Sequence, residues 1–343
     1  MSAIPRVVIS APSSGHGKTA ISVGLLAACA ARGLRSVGFK IGPDYVDAAY
    51  LGLAAGRPGR NLDPRLAGVN RLGPLFAHGA AGADIAVIEG TMGLFDGLAG
   101  RTDAESTAQV AGLLRAPVVL VIDVAAMGQS VAALVHGFRA YDELTWLGGV
   151  ILNRIDSDRH EQVLREALDD IGVPVLGALR RRALSGLGPH GAPLPPRHEG
   201  VGPIAQGGLD AARAVRRLGE AMARYCDLER LVALARSAPK LTVDPWSAEQ
   251  AVLADEPTGA LGAAPVAAGR RPLIAVAGGP RLTFGYVETV ELLTAAGADI
   301  VTVHVEAAGD IHRALQGVGA MKKSAGPGRG IVWGMALDPA TSL

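Results

Sequence analysis

Val7-Val8-Ile9-Ser10-Ala11-Pro12-Ser13-Ser14-Gly15-His16-Gly17-Lys18-Thr19 reads as a strand, a glycine-bearing turn and the first residues of a helix. Gly15 and Gly17 carry no Cβ, so consecutive backbone N–H groups in the turn are free to point at phosphate oxygens, and the helix N-terminus adds positive potential. Lys18 is placed to reach the β- and γ-phosphates, and Thr19 to offer its hydroxyl to Mg²⁺. Pro12 occupies the first glycine position of the G-x-x-x-x-G-K-[ST] pattern. The context supports the reading nonetheless: Arg6 to Ala11 is an apolar strand, and Ile21, Leu25 and Ala28 share one helical face. ATP is therefore the expected ligand, held by Ser14, Gly15, His16, Gly17, Lys18 and Thr19, with Mg²⁺ as its companion.

Outward from this segment, apolar runs bounded by turn residues recur at Ser36 to Ile41, Asp84 to Glu89, Pro117 to Asp123, Leu147 to Leu152 and Pro174 to Leu179, with helical patterns between most of them. The alternation predicts an α/β fold, a doubly wound and mainly parallel sheet whose ligands lie beyond the carboxyl ends of the strands. Lys40 to Asp47, Glu89 to Asp96, Asp123 and Asn153 occupy those ends. Helical spacing runs from Leu209 to Ala235, and residues 237–271 are rich in Pro, Ala and Gly, which reads as a linker. A new unit starts at Pro272, with a strand over Leu273 to Ala277, a turn at Gly278-Gly279-Pro280, a helix over Tyr286 to Ala296 and a strand from Ile300 to Val305. The expected organisation is a catalytic domain over 1–236, a linker over 237–271 and an incomplete α/β domain over 272–343.

Of the 343 residues 49% are hydrophobic and 19% charged, the composition of an ordinary globular protein, and a net charge of +1 gives no reason to expect nucleic acid. The apolar stretch Thr19 to Ala31 is too short to span a bilayer, and the N-terminus has no charged region followed by an apolar core. A cytoplasmic location without membrane contact is expected. Cys29 and Cys226 fall in helical segments far apart, so each reads as a small buried side chain, and the eight histidines have no ligand spacing. Arginine outnumbers lysine, and Ala and Gly abound, a bias typical of GC-rich coding sequence.

Glu89 ends its strand with a carboxylate and is followed by Gly90-Thr91-Met92-Gly93-Leu94-Phe95-Asp96-Gly97, so it can hold Mg²⁺ opposite the phosphate loop; capping the next helix is the alternative. Lys40-Ile41-Gly42-Pro43-Asp44-Tyr45-Val46-Asp47 brings a lysine, two carboxylates and a phenol into one loop. There Lys40 can offset charge built up during phosphoryl transfer and an aspartate can complete a metal shell, although Gly-Pro-Asp is also an ordinary turn and Asp47 an ordinary cap. Thr19, Asp47 and Glu89 are the metal candidates.

These segments together resemble the cobyrinic acid a,c-diamide synthase family, called hydrogenobyrinic acid a,c-diamide synthase in the aerobic route to vitamin B12. The resemblance rests on Ala11 to Thr19, Lys40 to Asp47, Gly56-Arg57-Pro58 with Arg60-Asn61-Leu62-Asp63, and Glu89 to Gly97. It continues through Ile151-Leu152-Asn153-Arg154, Leu194-Pro195-Pro196-Arg197-His198, and Ala275 to Pro280 with Phe284-Gly285-Tyr286, and covers roughly Pro5 to Val301. It implies a P-loop, dethiobiotin-synthetase-like fold in which a corrinoid carboxylate attacks the ATP γ-phosphate and ammonia converts the acyl phosphate to an amide, on side chain c and then a. It further implies that Asp44, Tyr45 and Asp96 lie where ATP and corrinoid meet and that Asn153 is a candidate for reading the adenine edge, while His198 either helps shape the corrin pocket or is a structural histidine in a proline turn. Asp123 is a supporting residue or a cap.

Three departures from the family pattern matter. Leu51 stands where a histidine is usual, residues 183–193 contain an insertion, and the cysteine and histidine of the family's triad-type glutaminase have no counterpart, since Cys226 lies upstream and His304 and His312 lack a cysteine partner. From Thr302 the resemblance ends, as an out-of-frame or truncated tail of a GC-rich gene would. Ammonia is then the expected nitrogen donor in place of glutamine, with a homodimer as the assembly to test. The rival readings are a related ATP-dependent carboxylate enzyme (dethiobiotin synthetase or cobyric acid synthase), a partitioning ATPase, and an inactive remnant; the partitioning ATPases carry a lysine where this chain has Ser13.

Overall fold

The computed structural model describes residues 4–97, 105–181, 183, 208–254, 271–278 and 285–304. In chain order the elements are β1 (Arg6–Ser10), α1 (Lys18–Ala31), β2 (Ser36–Ile41), α2 (Tyr45–Ala55), β3 (Arg60–Leu62), α3 (Val69–Gly79), β4 (Ile85–Glu89), α4 (Thr107–Leu113), β5 (Val118–Asp123), α5 (Ser130–Tyr141), β6 (Leu147–Ile155), α6 (Asp158–Asp169), β7 (Val175–Arg180), α7 (Gly208–Tyr225), α8 (Leu228–Ser237), α9 (Ala248–Ala254), β8 (Leu273–Gly278), α10 (Val287–Ala295) and β9 (Asp299–His304). Two compact units emerge, Met1–Pro196 with Leu209–Pro245, and Arg197–Gly208 with Trp246–Leu343.

The first unit is built on a seven-stranded sheet in the order β3-β2-β4-β1-β5-β6-β7, every neighbouring pair parallel. Helices on both faces of a parallel sheet leave its central strands no wet side, which is why β1, β2 and β4 are buried at every position and read as predominantly apolar runs, with the buried charges Arg6, Lys40 and Glu89 set into them. Order reverses around β1, with β4 on one side and β5 on the other. That is the switch point at which ligands bind in such sheets, and the phosphate loop leaves from it. Ile21, Leu25 and Ala28 of α1 are buried as their spacing predicts. In the second unit β8 and β9 pair in parallel, joined through α10. Among the described residues no helix is long and apolar enough to cross a membrane.

The departures from the sequence reading are local. Strand β3 is three residues long and begins Arg60-Asn61, too short and too polar to show a period; a short polar strand is how a sheet protects its edge. The helical stretch after Leu209 is two helices, divided at Cys226-Asp227, where the Asp227 carboxylate caps α8 by accepting from Arg230 N–H at 3.0 Å. Cys226 therefore lies at a helix junction, bridged to Gly177, rather than inside a helix. The 237–271 stretch contains α9, begun by Ser247 accepting from Gln250 N–H; seven residues are too few to reveal a helical period. Leu51 is wholly buried in α2, against Gly38, where a Cβ would lie 2.6 Å from the Leu51 Cβ. The leucine at this position is a core residue, with no face toward a ligand.

Strand β1 is anchored at its start by a buried cation. Arg6, 0% exposed, donates to the carbonyls of Leu114 (2.6 Å), Ile4 (2.9 Å), Arg115 (3.4 Å) and Pro239 (2.6 Å). Burial, with Arg115 nearby, lowers its pKa to about 10, which still leaves it charged at neutral pH. Carbonyls at the end of α4 and beyond α8 thus converge on the strand that leads into the phosphate loop. Replacing Arg6 by Met leaves those buried acceptors unpaired, so Arg6→Met is expected to lower stability by about 3 kcal/mol and the melting midpoint by roughly 6–12 °C in a thermal scan.

Candidate functional site

The loop between β1 and α1 has the backbone its glycines allow. Gly15 and Gly17 adopt φ of +90° and +98°, and Gly17 caps α1 with no side-chain hydrogen bond, so the first N–H groups of the helix stay open to an anion. Lys18, 6% exposed, folds back over the loop and donates to the carbonyls of Ser13 (3.1 Å) and Met92. Met92 itself is left-handed (φ 47°), which marks the segment after β4 as a loop shaped around the lysine. Ser14 is exposed on the outside of the turn.

Behind the loop lies a buried charge cluster. Strands β2 and β4 pair with Lys40 opposite Glu89, and α2 delivers Asp47 from its first turn. Lys40 Nζ lies 2.9 Å from Glu89 Oε1, 2.7 Å from Asp47 Oδ2 and 3.1 Å from the Gly90 carbonyl. Thr19 Oγ1 donates to the same Glu89 Oε1 at 2.6 Å, while Glu89 Oε2 is buried with no hydrogen-bond partner. Burial raises the Glu89 carboxyl to about 7; Lys40 pulls it down and Asp47 pushes it up. Burial by itself would lower Lys40, but Glu89 and Asp47 outweigh it and hold the ammonium above its ordinary value. The structure brings Lys40, Asp47, Glu89 and Thr19 together, with Lys40 enclosed by carboxylates.

The other side of the phosphate loop is tied to β5 and β6. Asp123 N–H donates to His16 Nδ1 (2.8 Å), which leaves Nε2 as the proton-bearing nitrogen facing Ser13 Oγ (3.1 Å). Burial lowers the His16 pKa; Asp123 opposes this, and Lys18 and Arg154 add to it. Asn153, 4% exposed, donates to the His16 carbonyl at 2.9 Å. A Cβ on Gly17 would stand 2.7 Å from the Asn153 Nδ2. Asp123 pairs with Arg154, a residue in the left-handed region at φ 67°.

The loop ahead of α2 is fixed by two devices. Asp44 caps the helix, its Oδ1 accepting from Asp47 N–H at 3.0 Å, and Tyr45 is the first helical residue. Asn61, 8% exposed on β3, donates to the carbonyls of Gly42 (2.8 Å) and Asp44 (3.0 Å), so the edge strand sets the position of the loop. Asp96 is exposed and accepts from Gly93 N–H at 2.7 Å, closing the turn after β4. Asn61 and Arg154 are the residues whose supporting parts the sequence reading missed; both stand inside segments that carry the family resemblance, which was the available signal. His198, His312 and the 184–193 part of the insertion lie outside the described residues.

The arrangement suits a nucleotide with a divalent cation. Among the described residues no group of three His, Cys, Asp or Glu forms a self-sufficient metal cage. Magnesium seldom uses one: it takes one or two carboxylates and fills its octahedron with phosphate oxygens and water. The partnerless oxygen of Glu89, with Asp47 and the Thr19 hydroxyl beside it, fits that demand.

A parallel sheet with this loop at its switch point defines a P-loop nucleotide-binding protein. The sequence model of the CobQ/CobB/MinD/ParA nucleotide binding domain (CbiA) matches residues 7–188, and the chain belongs to that family. It is 52% identical over 318 residues to the hydrogenobyrinate a,c-diamide synthase of Streptomyces coelicolor, covering 88% of this chain and 64% of that one. The enzyme of the same name from Mycobacterium bovis is 46% identical, over 87% of this chain and 62% of its own length. The cobyrinate a,c-diamide synthase of Methanosarcina acetivorans is 37% identical, over 87% and 58%. The chain thus spans 64% or less of the length of these relatives.

Gly17 is constrained twice, by its left-handed backbone and by the Asn153 amide. Gly17→Ala is expected to weaken nucleotide binding by roughly 5- to 150-fold, the equivalent of about 1–3 kcal/mol of backbone strain. Adding Asn153→Ala removes the contact but not the strain, so calorimetric titration of the double variant is expected to recover none of the backbone share of the loss.

Proposed function

We propose that this chain catalyses the ATP-dependent amidation of the c and a side-chain carboxylates of cobyrinic or hydrogenobyrinic acid. The observation that carries the reading is the convergence of Lys18, Thr19, Glu89 and the loop bearing Asp44 and Asp47 at the carboxyl ends of β1, β4 and β2. The similarity to a,c-diamide synthases over most of this chain supports it.

In this reading a corrinoid carboxylate oxygen attacks the γ-phosphorus of ATP; the P–O bond to the β-phosphate breaks, and ADP leaves. Ammonia then attacks the acyl carbon, phosphate departs with its C–O bond pair, and the amide remains. The N–H groups around Gly15 and Gly17 and the Lys18 ammonium bind the phosphates, Ser14 and His16 completing the loop. Thr19, Asp47 and Glu89 hold Mg²⁺, which when bound neutralises developing phosphate charge. Lys40 offsets charge on the transferring phosphoryl group, while Asp44, Tyr45 and Asp96 face the corrinoid carboxylate and Asn153 reads the adenine edge.

The nitrogen donor proposed for this chain alone is ammonia. Its two cysteines are buried in the first unit, and burial pushes the Cys29 thiol up to about 11 and the Cys226 thiol up to about 12, far from a thiolate nucleophile. The domain assignment that goes with this is a synthetase over 1–236, a linker over 237–271 and a glutaminase-like fragment over 272–343. The proposed assembly is a homodimer in the cytoplasm, checked by light scattering.

Mass spectrometry of either acid incubated with protein and Mg·ATP is expected to give diamide with ammonium chloride and none with glutamine. No product from either donor overturns the reading. Glu89→Gln removes the carboxylate and is expected to cut turnover by at least about 100-fold. A second expectation concerns pH. A group that keeps its proton up to about 7 in the free protein must lose it to hold a cation, so Mg·ATP binding should release a proton and weaken as pH falls from 8 to 6. Calorimetry in buffers of different ionisation enthalpy reads that proton, and Glu89→Gln is expected to abolish its release.

A further inference from the structure

Lys40 spends all three of its N–H donors inside the site, on Glu89 Oε1, Asp47 Oδ2 and the Gly90 carbonyl, and its side chain is wholly buried. Its Nζ therefore fills the point between Glu89 Oε1 and Asp47 Oδ2, where a cation bound by those two oxygens would have to stand, and leaves Glu89 Oε2 as the oxygen a metal could reach first. Glu89 Oε1 has a second donor in Thr19, so both of its lone-pair directions are occupied. An ammonium holds oxygens at hydrogen-bond distance; Mg²⁺ demands about 2.0–2.1 Å, and both cannot share that space.

We propose that Lys40 is a placeholder cation: in the nucleotide-free protein its ammonium occupies the position between Glu89 and Asp47 that Mg²⁺ takes on loading, and the exchange delivers Lys40 to the phosphoryl group. This rests on the Mg·ATP reading given above. Charge bookkeeping favours the exchange. Once Glu89 is ionised, as holding a metal requires, one ammonium leaves the two buried carboxylates with a net charge of −1, whereas a divalent cation neutralises them and frees the lysine to offset a phosphate. The long unbranched stem lets the ammonium move without moving β2. The exchange also reaches the neighbouring loop, because Asp47 is in the first turn of α2 and its N–H is bonded to Asp44. Drawing Asp47 toward a metal pulls on the segment that carries Asp44 and Tyr45, so nucleotide loading precedes assembly of the acceptor side.

The test uses metal without nucleotide. In wild-type protein, Mg²⁺ alone is expected to leave the melting midpoint unchanged, because the site is already filled. Lys40→Met empties it, and Mg²⁺ alone should then raise the midpoint saturably, with Mn²⁺ bound at one ion per chain at least about 10-fold more tightly than by wild type, read by electron paramagnetic resonance. Equal Mn²⁺ binding by both proteins, or none by the variant, overturns the placeholder. Lys40→Gln serves if the Met variant does not fold; if neither folds, a crystal structure of wild type with Mg²⁺ and a non-hydrolysable ATP analogue decides. Nζ on a phosphate oxygen supports the exchange, and Nζ still bridging both carboxylates overturns it. Failure of wild type to bind the Mg·analogue in calorimetry sinks the nucleotide reading instead, and is distinct from every outcome of the metal-only titration.

Discussion

The first unit is organised around a lysine that water never reaches. Lys40 stands on β2, Glu89 on β4 and Asp47 on α2, so one buried ammonium fixes the distance between two strands and a helix. Taking three charges out of water is costly, and removing one partner from such a cluster typically costs about 3–5 kcal/mol because the others are left uncompensated. An apolar trio of the same volume would pack as well at less expense. The cluster is better understood through what its carboxylates do when a cation of higher charge arrives, and through Thr19, which links it to the phosphate loop at 2.6 Å.

That loop is held from its other side by backbone-directed contacts. His16 accepts from the tip of β5, and Asn153 at the end of β6 donates to the His16 carbonyl. The strand that would present an adenine-reading side chain is therefore also a strut of the phosphate cradle, and Gly17 must lack a side chain for the strut to fit. Arg154 pairs with Asp123 from a left-handed backbone, a strained conformation kept beside the site.

The central sheet was legible because burial on both faces leaves predominantly apolar runs bounded by turn residues; those at Ser36 to Ile41 and Pro117 to Asp123 match β2 and β5 closely. The phosphate loop and Glu89 were legible because their chemistry is tied to a strand end. Strand β3 was not, since three residues with two polar side chains look like any loop. The supporting part of Asn61 escaped spacing for the same reason, although its segment carries the family resemblance: it holds the carbonyls of Gly42 and Asp44, partners that sequence spacing does not bring together. Leu51, which departs from the family's usual histidine, is a core residue: Gly38 opens a space in β2 that Leu51 of α2 and Leu26 of α1 fill.

Two buried cations in one sheet show how the choice of acceptor decides what a charge is for. Arg6 is surrounded by four carbonyls and no carboxylate, over the Phe76 ring at 6.0 Å. Neutral dipoles from separate segments satisfy its fork of donors, and a metal ion would find no anionic oxygen there; the site binds chain to chain and nothing else. Lys40 is surrounded by anionic oxygens on elements that end at the nucleotide site, and its ammonium is a point charge on a flexible stem. The first arrangement is permanent because its ligands are the backbone itself. The second is exchangeable because its ligands are oxygens that magnesium also prefers, and only the second lies where phosphate charge enters.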